Sequence, residues 1–297
     1  MKKIGVSLNL SSTSGLRDPL PYLYFAENDC SPMTLFIPGL IYCQNKSGIV
    51  LSTETQAGIG FVNIGIIGKN IGTVTDIKGN YSLKLDKIYD NDSIRFSVIG
   101  FESGTYLVRD FRNDSTNTIY LKPVTYQLKE VKVNYRRHRE IQIGEKVTSG
   151  NLVSGFFSND LGAEMGIKVY IKRPIKLSDI NLNVAVCTFD SVSYSLNIYE
   201  SIHDKDYRKI LHQPVYISFS KDKISKVITI DLRKHLIEIN GNVMITLELY
   251  KDPGKGSLLF YTKNTEDFIW HKKTSEGTWT TSHGSIGFYS HAQLIKQ

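Results

Sequence analysis

Short runs in which apolar and polar residues alternate recur along most of the chain, and each predicts a β-strand with one buried face. In the first half they are 59–67 (IGFVNIGII), Thr73-Val74, 81–85 (YSLKL) and 93–99 (SIRFSVI). Turn-forming residues separate them: Gly68-Lys69-Asn70, 76–80 (DIKGN) and Asp90-Asn91-Asp92. In 76–80 the side chain of Asp76 is placed to accept from backbone amides two or three residues on, and Gly79 can supply the positive φ of a tight hairpin. The second half repeats the grammar with longer runs: 166–172, 180–186, 194–199, 226–232, 243–249, 258–261 and 285–289. Loop 274–278 (TSEGT) reads as a hairpin that places Trp270 and Trp279 on adjoining strands. The predicted fold class is all-β, with a small antiparallel sandwich followed by a jelly-roll-like β-sandwich. The expected organisation is an N-terminal extension or export-signal remnant at 1–45, a first sandwich at 46–134, a polar basic linker at 135–150 and a second sandwich at 151–297.

Composition agrees. Of 297 residues, 41% are hydrophobic and 22% charged, with 17 Tyr and 13 Phe against 8 Pro, which fits pleated half-buried surfaces and excludes wholesale disorder. The net charge of +7 is spread thinly: zero over 1–43, +2 over 44–134, +2 over 135–150 and +3 over 151–297. A nucleic-acid surface would gather its cations on one face, so no nucleic-acid partner is expected. The one tight basic run, Arg136, Arg137, His138 and Arg139, falls in the expected linker and reads as solvated. Cys30, Cys43 and Cys187 have neither zinc-ribbon spacing nor an even-numbered disulfide framework.

Residues 34–43 (TLFIPGLIYC) form an apolar run too short to span a membrane and of the length of a signal h-region, so export is expected and a transmembrane helix is not. The run follows a stretch with Asp18, Pro19, Pro21, Glu27 and Pro32, which suits a true start further in or an altered leader. A buried strand is the alternative. Tyr42 before Cys43 is a poor lipoprotein cleavage box.

In order along the chain stand Gly72-Thr73-Val74-Thr75-Asp76, Gly79-Asn80-Tyr81-Ser82-Leu83, Ser97-Val98-Ile99-Gly100-Phe101, Leu121-Lys122-Pro123 and 128–133 (LKEVKV). With Gly58-Ile59-Gly60-Phe61-Val62-Asn63-Ile64 upstream, residues 47–133 resemble the carboxypeptidase-regulatory-like domain. That resemblance implies a seven-stranded, transthyretin-like β-sandwich, an accessory module without catalytic residues, found on exported and outer-membrane proteins of Bacteroidetes-type bacteria. Relatives that continue into a TonB-dependent barrel need far more chain than the 164 residues after Val133.

For chemistry, the second half offers scattered acids and histidines. Asp190, Asp204, Asp206, Asp222 and Asp231 lie in turn-like contexts where Asp ends strands, and a glycosidase pair among them is the weakest reading. No metal-ligand spacing, catalytic residue or cofactor motif is found, so a non-enzymatic recognition or accessory protein without cofactor is expected, with a glycan or another envelope protein as partner. The candidate ligand-binding residues are Trp270, His271, Trp279, His283 and Tyr289, because flat aromatic faces stack on sugar rings while neighbouring polar groups bond hydroxyls. The competing reading makes both tryptophans core anchors.

Overall fold

Strand Asn80–Asp86 shows how the chain folds: Tyr81, Leu83 and Leu85 point inward while Asn80, Ser82 and Lys84 face solvent, as a period of two requires. The computed structural model describes residues 43–124, 139–157, 161–203 and 206–295, all within one unit, 32–297. The expected extension at 1–42, the strand 128–133 and the basic residues 136–138 lie outside the described residues.

The first sandwich contains β1 (Cys43–Ser52), β2 (Asn63–Ile66), β3 (Gly72–Val74), β4 (Asn80–Asp86), β5 (Ser93–Ser97), β6 (Gly104–Leu107), helix α1 (Val108–Asn113) and β7 (Thr118–Leu121). They form two sheets, β4-β1-β7 and β3-β2-β5-β6, which makes the seven strands that the resemblance implies. Between the sheets Phe96 is fully buried, with the rings of Phe111, Tyr81 and Tyr106 at 5.4, 5.9 and 5.9 Å in edge-on geometry. Ile64, Ile66, Leu85 and Ile94 are buried with it, and each such side chain contributes about 1.5–3 kcal/mol. The β3–β4 turn is built as expected. Asp76 Oδ1 accepts from the amides of Lys78 (2.8 Å) and Asn80 (2.9 Å), and Gly79 has φ 88°. The Asn80 side chain, followed by those amides, holds the Asp76 carboxyl below its usual range. The run 59–67, expected as one strand, enters the ladder only at β2, because Phe61 takes φ 61° and its ring leaves the sheet.

The second sandwich begins inside the expected linker. Residues Glu140–Gly144 form β8, which pairs with β21 (Phe288–Leu294), so 135–150 supplies a strand rather than a free tether over that stretch. Then come β9 (Leu152–Phe157), β10 (Glu164–Val169), β11 (Ile175–Leu177), β12 (Asp179–Cys187), β13 (Ser191–His203), β14 (Asp206–Lys209), β15 (Val215–Ser220), β16 (Val227–Asp231), β17 (Glu238–Ile239), β18 (Val243–Leu249), β19 (Ser257–Lys272) and β20 (Thr280–Ile286). Together with β8 and β21 these make one curled sheet of 14 strands. The N-terminal half of β12 pairs with β16 and β21 and its C-terminal half with β19, with a register shift between Val184 and Val186. A bulge of this kind bends a strand and lets it serve two layers. Between the layers lies a core containing Phe189, Phe260, Leu196, Leu249, Ile175 and Leu177. The expected strand 258–261 extends to 16 residues, and 285–289 is divided at Gly287 between β20 and β21. Among the described residues no helix is long and apolar enough to cross a membrane.

Hairpin β19–β20 reaches across to the first sandwich. Gly68 donates its amide to the Glu276 carbonyl (2.9 Å), Thr278 Oγ1 donates to the Gly68 carbonyl (2.8 Å), and the rings of Phe61 and Tyr250 meet at 4.6 Å. The approach needs glycine: a Cβ on Gly65 would lie 2.1 Å from the Ser275 carbonyl oxygen. Gly65→Val is therefore expected to unseat the hairpin at a cost of about 1–3 kcal/mol, seen as a lower melting temperature and faster proteolysis at 273–279. An unchanged digestion pattern would count against this contact.

Candidate functional site

The register of three neighbouring strands sets charged side chains in a row: Lys272 of β19 lies opposite Glu164 of β10, and Glu164 opposite Glu248 of β18. Both carboxylates are buried, and two like charges so placed would repel without compensation. Lys272 Nζ sits 2.8 Å from Glu164 Oε2, and Lys209 Nζ 3.2 Å from Glu248 Oε2. The Asn197 amide donates to both, at 2.9 Å to Glu164 and 2.7 Å to Glu248, while Tyr199 OH (3.0 Å) and Thr246 Oγ1 donate to Glu164. A further donor comes from the other sandwich, where Asn63 Nδ2 lies 2.8 Å from Glu248 Oε1. Burial pushes the Glu248 carboxyl up, but Lys209, Lys272 and the two amides outweigh it and hold the group below its ordinary value. Burial likewise pulls the Lys272 ammonium down, and Glu164 and Glu248 outweigh it, so its value is raised. Tyr199 is driven well above the usual phenol range by burial and then by the two carboxylates.

Above this row opens a cleft of about 440 Å³ between the sandwiches. Asn63, Arg95, Ser97 and Ser103 line it from the first, and Tyr207, Arg208, Lys209, Lys272, Glu276 and Trp279 from the second. Glu276 closes the junction: its carboxylate accepts from Ser97 Oγ (2.8 Å) and pairs with Arg95 Nη1 (3.2 Å).

Two of the five candidate residues gather here. Trp279, half-buried one residue before β20, meets Tyr199 edge-on at 5.8 Å and Tyr207 at 6.4 Å, with Lys272 Nζ 4.9 Å from its ring centre. Trp270, half-buried in β19, meets Tyr207 at 5.9 Å on its flank and carries Lys168 over its ring at 5.8 Å. The other three lie apart. His271 alternates to the opposite side of β19 from Trp270, and burial lowers its pKa. His283 is exposed opposite Phe268, their rings 4.8 Å apart. Tyr289 is buried in β21, with Lys146 5.6 Å from its ring centre. Strand alternation and the length of β19 therefore disperse what looked like one cluster.

Among the described residues no group of three or more His, Cys, Asp or Glu converges as metal ligands. Asp231, one of the scattered acids, is exposed and clasped by Arg233 at 2.9 and 2.7 Å, which holds its carboxyl down at about 2. The acids that matter are Glu164 and Glu248. No signal in the sequence marked Glu248: in 243–249 Val243, Ile245, Leu247 and Leu249 fill the core, and Met244, Thr246 and Glu248 alternate to the other face, which reads as solvated until the first sandwich covers it.

Residues 46–146 match the family model of the CarboxypepD_reg-like domain, about a third of the chain. The match bears out the resemblance read over 47–133 and runs on through β8 into the second sandwich. A search of the curated proteins finds no match. Among solved structures, the chain is similar to the infectious bursal disease virus VP2 subviral particle at 12% identity and a TM-score of 0.23, over 86% of this chain and 66% of that one. For the Gx strain of that virus the figures are 10%, 0.13, 86% and 67%. The chain thus spans just under two thirds of the VP2 in the subviral particle, and at these scores the likeness carries no weight for fold or function.

Proposed function

We propose that this protein is a non-enzymatic recognition protein of the cell envelope that holds a saccharide in the cleft where its two sandwiches meet. The observation that carries the reading is the pairing of half-buried aromatic rings, Trp279 and Tyr207, with polar groups from both sandwiches around one concave space of about 440 Å³. An aromatic face takes the apolar side of a sugar ring, and a few fixed polar groups orient it. The carboxylates beneath the cleft support a non-catalytic role, since Glu164 and Glu248 are buried and engaged by Lys272, Lys209, Asn197 and Tyr199. Export rests on the apolar run at 34–43 and on the family resemblance, and cell fractionation against an envelope marker checks it.

Titrating a panel of oligosaccharides against the full chain, followed by tryptophan fluorescence, is expected to give saturable binding. Trp279→Ala should weaken it at least tenfold, the equivalent of about 1.4 kcal/mol, with the circular dichroism spectrum retained. Trp270→Ala, on the flank, should leave most of the affinity. Full binding by a folded Trp279→Ala protein would reject the cleft as the site, and the absence of any saccharide ligand would favour an envelope protein-interaction role.

A further inference from the structure

Resting on the cleft as the saccharide site, we infer that its ligand is an anionic saccharide, whose acidic group is met by Lys209 on one wall and Arg95 on the other. In each ion pair around the cleft the cation is the more exposed partner. Side-chain exposure is 41% for Arg95 against 18% for Glu276, and 29% for Lys209 against 2% for Glu248. Glu276 and Glu248 lie behind and hold the cations in place, so the charge turned toward a ligand is cationic. Arg95 pairs with Glu276 through Nη1, which occupies part of a five-donor guanidinium, and Lys209 gives one of three donors to Glu248.

Neutral sugar hydroxyls donate as well as accept, and a site for them needs acceptors on its walls. The carboxylate on this wall, Glu276, is already engaged by Arg95 and Ser97. A cationic wall is complemented by a ligand rich in acceptors, and guanidinium groups match the planar oxygens of a carboxylate or the oxygens of a sulfate. Because Arg95 comes from the first sandwich and Lys209 from the second, the acidic group bridges both.

Calorimetry on the full chain tests this with three oligosaccharides of equal length: a carboxylated oligogalacturonate, a heparin-derived sulfated chain and a neutral galactan fragment. The expected result is at least tenfold tighter binding of an acidic chain than of the neutral one, with affinity falling as salt rises, since the cations are solvent-facing. Preference for the carboxylated or the sulfated chain identifies the acidic group, and either supports the inference. Arg95→Gln, at a side chain 41% exposed, should lose at least fivefold in affinity for the acidic chain while the binding of the neutral chain is unchanged. Equal binding of acidic and neutral chains, untouched by Arg95→Gln, overturns the anionic inference and leaves the saccharide reading standing. Binding of none of the three by the folded protein overturns both.

Discussion

Replacing Lys272 with alanine is expected to remove about 3–5 kcal/mol of stability, because it leaves Glu164 buried without its countercharge. The side chain is nearly enclosed, and its ammonium is 2.8 Å from Glu164 and 4.9 Å from the Trp279 ring centre. Removing one partner costs more than removing both. The paired variant Lys272→Met with Glu164→Gln should therefore recover much of the loss, as read from denaturant midpoints. If Lys272→Ala unfolds at the parent midpoint, the pair contributes nothing and the buried row is only a neighbourhood of charges. The same row sets the pH limits. Glu248 has a depressed value in the fold, so its contribution is present above about pH 4.3 and fades as pH falls through the folded value. Lys272 has a raised value, so its contribution is complete below about pH 10.4 and fades as pH rises through the folded value. A stability plateau between these limits is expected, and midpoints measured across that range check it.

Gly79→Val should destabilise the first sandwich by about 2–4 kcal/mol, more than a turn glycine on open surface would. Two effects add. At φ 88° a β-branched residue is strained, and a Cβ there would lie 2.5 Å from the Val50 carbonyl oxygen and 2.9 Å from the Ile59 nitrogen. Gly68, at φ 72° with nothing within 4 Å of a Cβ, isolates the first effect. Gly68→Ala should accordingly cost only about 1–2 kcal/mol. Equal losses for Gly79→Val and Gly68→Ala would reject the steric part of the argument.

The strands were legible wherever alternation was strict. Residues 243–249 match β18 to the residue, and 81–85 lies within β4. The seven strands of the first sandwich were implied by the family resemblance, while its β3–β4 turn was legible directly from Asp76 and Gly79. The long strand β19 was not legible, because Lys263 to Asp267 carries no apolar alternation and the strand continues there through a shifted register against β20. The linker reading failed at β8 because Glu140, Gln142 and Gly144 look polar and exposed, which is how a strand paired on one layer presents its outer face. At the site, Trp279 was visible as a rare aromatic beside a hairpin turn. Arg95, Arg208 and Lys209 were not, since a cation on a strand is ordinary until another sandwich is placed against it. Asn63 was noticed as part of a motif, and only the fold gives it Glu248 as a partner, 185 positions away.

Strand β12 belongs to both layers of the second sandwich, and this sets the order in which that half can fold. Its partners β16, β19 and β21 all follow it in the chain, with residue 183 waiting for 227 and residue 187 for 258. Neither layer can close before the last strands have been synthesised, so the nucleus must join distant segments and close long loops before hydrophobic burial rewards it. On a chain emerging from the ribosome the described strands of the first sandwich are all present by residue 121, while the second stays open until its end. The half that carries Trp279 and Lys272 is thus the slower to form and the more exposed to aggregation on the way.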